Sequence, residues 1–225
     1  MNHIAANIRR IRENIPETVE LIAVSKFKPV EMIAEAYQAG QRIFGENKAQ
    51  EMKTKQAQLP PNIQWHFIGH LQTNKLKYII PFVQMIHSVD SMKLLQEINR
   101  WAEKHNRIVD CLLQFHIATE ETKFGFSYQE AEEMLSDEVS QTWKNVRLCG
   151  VMGMATFTDD KQLIRKEFRT LYGYFSSLKN EFFPSSDAFK EVSMGMTDDY
   201  PIAIEEGSTM IRVGSAIFGN RTVIV

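Results

Sequence analysis

The chain has 225 residues, 44% of them hydrophobic and 24% charged, with a formal net charge of −2 and a sequence pI near 6.3. That length and apolar content supply one sizeable core, and the near-neutral charge gives no electrostatic reason to expect a nucleic acid or an anionic membrane as partner. No apolar run is long enough to span a bilayer, and the N-terminal stretch lacks the continuous apolar centre of a signal peptide.

In chain order, Ile4, Ala5, Ile8 and Ile11 form one face of a first helix, with arginines opposite. Val19 to Val24 is a short β-branched run that reads as a buried strand and ends on Ser25-Lys26. Pro29 then opens a helix through Met32, Ile33, Ala36 and Tyr37, with Gly40 as its stop. Gln41 to Phe44 is a second strand leading to Gly45-Glu46-Asn47. The helix after it carries Lys48, Lys53 and Lys55, read as a wet face. Ile63 to Ile68 is a third strand, and Thr73 or Asn74 is placed to cap the helix of Leu76, Ile79 and Ile80. Val83 to His87 is a fourth strand, followed by the helical stripe Met92, Leu95, Ile98 and Trp101. Ile108 to Ile117 is a fifth strand, and Ser127 opens a helix through Met134. Val146 to Met152 is a sixth strand. The longest helical pattern runs from Leu163 to Leu178. Phe189 to Ser193 is a seventh strand, Asp198 or Asp199 starts a short helix that Gly207 ends, and Thr209 to Val213 is an eighth. Cys111 and Cys149 sit in apolar strand-like runs, read as core thiols that fit a cytoplasmic setting.

Strands alternating with helices imply a parallel sheet, and eight such units in one compact chain predict a closed (β/α)8 barrel, α/β in class, occupying residues 1–225 as a single domain. An open doubly wound sheet is the alternative. It brings a glycine-rich first turn, and Ser25-Lys26-Phe27-Lys28 has no glycine. In a barrel all strand C-termini share one mouth. Lys26, Gly45-Glu46-Asn47, Gly69-His70, His87, His116, Gly153, Ser193-Met194-Gly195 and Gly214-Ser215 are then neighbours there.

Lys26, where a buried strand gives way to a loop, is either a lysine snorkelling to the mouth or a desolvated amine suited to Schiff-base chemistry. The loops after strands seven and eight are where barrels commonly hold phosphate. Here Ser193-Met194-Gly195-Met196-Thr197 and Gly214-Ser215 offer hydroxyls, backbone N–H groups and close-approach glycines. Arg212 shares a strand face with Gly214. It reads either as the partner of a carboxylate or as a donor to a ring nitrogen beside the phosphate. A Schiff-base lysine, a phosphate cup and an arginine at a pyridine nitrogen together describe a pyridoxal phosphate site. His66 and His70 have the spacing of helical metal ligands, but the strand pattern and Gly69 argue against a helix, and no metal site is expected. Lys28, beyond the strand and next to Pro29, reads as a solvated or phosphate-side charge.

The segments AVSKFKP, IFGENKAQE, WHFIGHLQTNK and SMGMTDDYPIAIEEGSTMIRVGSAIFGNR span most of the chain and resemble the pyridoxal phosphate homeostasis protein family, whose fold is similar to the N-terminal barrel of alanine racemase. The resemblance implies that Lys26 is the Schiff-base lysine. It places Ser193, Met196, Gly214 and Ser215 in the phosphate cup with Gly195 in the same loop, Arg212 at the pyridine nitrogen and Asn47 near the ring. It also implies a cytoplasmic, monomeric carrier of pyridoxal 5'-phosphate that takes part in vitamin B6 homeostasis. The carrier meets apo-enzymes transiently and has no substantial turnover of its own. A PLP-dependent amino-acid racemase of the alanine racemase type is the alternative. Two-base racemisation needs a second group, which in alanine racemase is a tyrosine from an additional C-terminal domain. This sequence ends at Val225, so that domain is expected to be absent, and none of the six tyrosines lies at a predicted strand end. An arginine at the ring nitrogen also disfavours its protonation and makes the ring a poor electron sink. A phosphate-sugar enzyme using Lys26 as an aldolase-like base is a third reading, and it explains Arg212 less well.

Overall fold

A computed structural model describes residues 3–119, 124–137 and 142–219. Eight parallel strands close into a barrel in chain order: β1 (Glu20–Val24), β2 (Ile43–Glu46), β3 (Gln64–Phe67), β4 (Met85–Val89), β5 (Val109–Gln114), β6 (Val146–Met152), β7 (Glu191–Ser193) and β8 (Met210–Val213). Closure is made by β1 against β8, with Ile22 opposite Arg212 and Ala23 opposite Val213. The expected fold class is therefore the observed one.

The strands are apolar on both faces because both are covered. Ile22, Met85, Leu112, Cys149, Met152 and Met210 fill the lumen, while Leu21, Ala23, Phe44, Phe67, Ile86 and Cys111 pack outward against the helices. Methionine suits the lumen, since its unbranched chain fills irregular gaps. Both thiols are buried, and burial pushes the Cys149 thiol up to about 12.

The helices form where capping and periodicity agree. Ser91 accepts the Leu94 N–H at the start of α5 (Met92–Lys104), which buries Leu94, Leu95, Ile98 and Ala102 along one stripe. Ser127 and Glu130 form a reciprocal capping box on α6 (Tyr128–Ser136). Asp160 accepts from Gln162 and Leu163 at the head of α7 (Lys161–Phe182), whose Ile164, Phe168, Leu171 and Leu178 face the barrel. The first helix, α1 (His3–Glu13), lies against α2 (Val30–Gln38) and α9 (Ser215–Phe218), beside the seam of the barrel. No described helix is long and apolar enough to cross a membrane.

Local differences from the sequence reading have physical causes. β2 extends two residues past Phe44, so Gly45 and Glu46 are strand residues rather than loop. β4 extends past His87 to Val89, which moves His87 from the mouth into the lumen. β5 ends at Gln114, and only Phe115 continues as an isolated bridge to Phe126. β7 begins at Glu191 rather than Phe189, which packs against Phe183 and Phe175 instead. Thr73 and Asn74 do not cap α4 (Leu76–Ile79); they form a 3-10 turn that feeds into it.

Candidate functional site

The turn carrying Lys26 is built from beneath. Ser25 is fully buried, and its hydroxyl donates to Glu46 Oε1 at 2.6 Å. Lys55, on α3 (Ala49–Gln56), donates at 2.7 Å to three acceptors at once: the Ser25 carbonyl, Glu46 Oε1 and Glu51 Oε1. Glu51 Oε1 also accepts the Phe27 N–H at 2.6 Å. Phe27 holds a φ of +62°, a left-handed conformation that an aromatic residue adopts only when its surroundings impose it. A buried ammonium and two carboxylates thus grip the backbone on either side of Lys26. Burial raises the Glu46 carboxyl, against the opposing effect of the Lys55 charge and hydrogen bond. Lys55 is accordingly no part of a wet helix face; it is buried and ion-paired.

Lys26 itself is exposed at the mouth, and its amine has no hydrogen-bond or ion-pair partner among the described residues. Lys28 differs. Its amine donates to the carbonyls of Phe218 and Gly219, closing the C-terminal end of α9, so it is not the solvated or phosphate-side charge expected from the sequence.

Arg212 on β8 is 4% exposed and points into the lumen. Its Nη1 donates to Ser193 Oγ at 2.6 Å and its Nη2 to the Gly153 carbonyl at 3.0 Å. Neither acceptor is charged, and the guanidinium has no ion-pair partner among the described residues. The Asp199 carboxylate acts on it only at a distance. Burial lowers Arg212 to about 10, which leaves it cationic at neutral pH. Ser193 Oγ also lies 2.9 Å from His87 Nδ1, and His87 Nε2 lies 2.9 Å from His66 Nδ1. Burial lowers His66 to about 4 and His87 well below the usual imidazole range, so both rings are neutral.

The β7 and β8 loops meet at the mouth. Gly195 has a φ of +93°, and a Cβ there would lie 2.6 Å from the Ala203 Cβ, so only glycine lets this loop close down on α8 (Tyr200–Glu205). Its carbonyl accepts the Arg212 N–H at 2.9 Å. The exposed Met196 has its N–H taken by Asp199 Oδ1 at 2.5 Å. Ser215 Oγ donates to Thr197 Oγ1 at 3.1 Å, tying one loop to the other. Gly214 faces Val24, and a Cβ at Gly214 would approach the Val24 carbonyl to 3.3 Å. Just past β2, Asn47 Oδ1 is buried with no partner. The loop after β3 presses on the same residue, since a Cβ at Gly69 would fall 2.5 Å from the Asn47 carbonyl oxygen.

The structure thus gathers Asn47, Ser193, Gly195, Met196, Arg212, Gly214 and Ser215 at or just below the mouth that carries Lys26. Ser193 is the exception in detail: its hydroxyl is turned into the lumen toward Arg212 and His87 rather than out toward an anion. His66 and His70 do not converge on a metal. His66 bonds His87, His70 stacks on Phe124 and reaches Asp90, and no metal-holding cluster occurs among the described residues. The sequence reading missed Lys55, Glu51 and the two lumen histidines. The Glu51–Lys55 spacing of four on one helix was the available signal. A partnerless amine, an uncompensated guanidinium, an orphaned amide oxygen and a glycine cradle beside the Ser215 hydroxyl are thus gathered at one mouth.

The family description of the alanine racemase N-terminal domain matches residues 1–222. The pyridoxal phosphate homeostasis protein of Vibrio alginolyticus is 38% identical over 229 residues, covering 98% of this chain and 96% of the relative. PipY of Synechococcus elongatus PCC7942, solved without and with PLP bound, superposes with TM-scores of 0.90 and 0.86 at 36% and 35% identity, over 96% of this chain and 100% of PipY in each case. The alanine racemase of Bartonella henselae shares the fold at a TM-score of 0.71 and 15% identity, over 97% of this chain and 58% of the racemase. The chain belongs to the pyridoxal phosphate homeostasis protein family, built on the barrel that alanine racemase uses as its N-terminal domain.

Proposed function

We propose that the chain binds pyridoxal 5'-phosphate at this mouth, holds it as a Schiff base on Lys26 and supplies it to apo-enzymes in the cytoplasm. On this reading it acts as a single-domain monomer spanning residues 1–225 and has no substantial turnover of its own. The observation that carries the proposal is Arg212, a buried cation left without a carboxylate one strand away from a partnerless lysine. When bound, the cofactor would supply an electrophilic aldehyde carbon and a conjugated ring.

Each of the chain's own residues has a separate task at the mouth. Lys26 provides the amine, and the Glu46–Lys55–Glu51 clamp fixes where that amine starts. Arg212 offers N–H donors and positive charge to the pyridine nitrogen, which discourages its protonation and so keeps the ring from acting as a strong electron sink. Gly195, Met196, Gly214 and Ser215 line the place for the phosphate, and Ser193 holds the Arg212 guanidinium from below. Asn47 offers an unused acceptor beside the ring.

Deuterium wash-in at Cα of alanine and transfer of cofactor to an apo-enzyme test the proposal together. Transfer without appreciable wash-in is expected. Wash-in at the rate of a dedicated racemase would overturn the carrier reading, because such a rate needs positioned acid and base groups that each contribute about 10²–10⁴-fold.

A further inference from the structure

The lumen below the mouth carries one continuous polar string that binding of a cofactor at Lys26 does not itself require. Arg212, Ser193, His87 and His66 are all buried and linked in that order by contacts of 2.6, 2.9 and 2.9 Å. Donor counting fixes the first bond, and giving the Ser193 hydroxyl proton an acceptor sets the others. A guanidinium can only donate, so Ser193 Oγ accepts from Arg212. A hydroxyl polarised in this way is the better donor, and its proton goes to His87 Nδ1, which must be bare. A neutral imidazole has one N–H, so that of His87 is on Nε2 and donates to His66 Nδ1. His66 is neutral too and carries its N–H on Nε2. Every donor in the string points away from Arg212.

The far end is electrostatically matched to this polarity. Asp110 is the charge that favours a proton on His66, and Arg147 holds its carboxylate through Nε at 2.7 Å and Nη2 at 2.9 Å. At the near end the charges acting on the string are Arg212 itself and Asp199.

We infer that His87, backed by His66, is a positioning residue for Arg212: by accepting the Ser193 O–H it turns the serine's lone pairs toward Arg212, which locks the guanidinium on Ser193 and Gly153 and leaves its other N–H groups for a ligand at the mouth. His87 is two links removed from that ligand and touches no reacting atom. Only the identity of the ligand rests on the proposed cofactor function.

Two readouts separate this role from mere packing. The first is ¹⁵N NMR of the side chains without any ligand. In the wild type both histidines should be neutral at pH 7 with the proton on Nε2, and Arg212 should show separate Nη1 and Nη2 signals, the mark of a guanidinium that does not rotate. His87→Phe keeps the ring but not the acceptor and should merge those signals. His87→Asn, whose side-chain oxygen falls near the place of Nδ1, should restore them. The second readout is binding of 4'-deoxypyridoxine 5'-phosphate, which lacks the aldehyde and so bypasses Lys26. Affinity should fall about tenfold in His87→Phe, the worth of one weakened hydrogen bond to a charged group, and recover in His87→Asn.

A His87 proton found on Nδ1, or Arg212 signals that stay separate in a folded His87→Phe, would overturn the inference. Equal affinity of the two variants for the analogue would overturn it as well. If His87→Phe does not fold, Ser193→Ala must merge the Arg212 signals instead. Absence of analogue binding by the wild type would reject the cofactor reading, while the Arg212 signals would still decide the positioning role.

Discussion

Lys55→Met removes the ammonium from the clamp under Lys26 and keeps most of its volume. Three hydrogen bonds of 2.7 Å disappear, and Glu46 is left fully buried with only Ser25 to satisfy it. Breaking a buried pair by removing one partner costs about 3–5 kcal/mol while the orphaned charge persists. Glu46 escapes that cost by taking a proton, because its carboxyl is already raised by burial and now loses the charge that opposed the rise. The sign comes from linkage. An acid whose folded-state pKa is raised contributes stability fully present below its unfolded value, near 4.3, and lost as pH rises through the folded value. The variant should therefore be about 3–5 kcal/mol less stable than wild type at pH 8. At pH 5, about 0.7 unit above the unfolded value, taking that proton costs only about 1 kcal/mol, so the deficit falls toward that of the lost hydrogen bonds, worth about 2 kcal/mol. Urea unfolding of both proteins at the two pH values measures this directly. In the folded variant the Ser25 carbonyl is released, so capture of pyridoxal phosphate by Lys26 should weaken as well. A loss of stability that is the same at pH 5 and pH 8 would refute the buried-pair reading and return Lys55 to the surface.

Gly69→Ala should push on the Asn47 backbone, since its Cβ would lie 2.5 Å from the Asn47 oxygen. Overpacking of this kind costs about 1–3 kcal/mol, and calorimetry together with a pyridoxal phosphate titration should show reduced stability and weaker binding. Lys28→Ala should uncap α9 at a cost of about 0.3–1 kcal/mol, read by thermal melting, and leave covalent capture intact. His66 and His87 are neutral when folded and gain protons when unfolded. Their contribution is therefore complete above the unfolded histidine value and lost as pH falls, for His66 between about 6.5 and about 4. Unfolding curves from pH 7 to pH 4 should show wild type losing up to about 3 kcal/mol from His66 alone, and His66→Phe should flatten that slope.

Much of this barrel was legible because its strands are short apolar runs separated by capped, periodic helices. Ser91, Ser127 and Asp160 cap as their types and positions require. Lys26, Arg212 and Gly214 declared themselves by chemistry at strand ends. What the residue string could not convey was inside and outside at two-residue resolution. His87 reads as a mouth residue until β4 is seen to continue to Val89, and Lys55 reads as solvated among polar neighbours until Glu46 is found beneath it. Both errors concern a polar group whose partners come from other elements, and helix periodicity carries no record of those. Ser193 has the same origin. Its type fits a phosphate cup, and only the three-dimensional neighbours His87 and Arg212 reveal that its hydroxyl faces inward.

The most direct measurement is borohydride reduction of the purified protein loaded with pyridoxal phosphate, followed by peptide mass mapping. A stable mass addition on the peptide bearing Lys26, absent in a folded Lys26→Ala variant and retained in Lys28→Ala, is the predicted result. A label on Lys28 or on another lysine, or loaded protein that cannot be labelled at all, would contradict the assignment of the mouth amine as the cofactor's anchor.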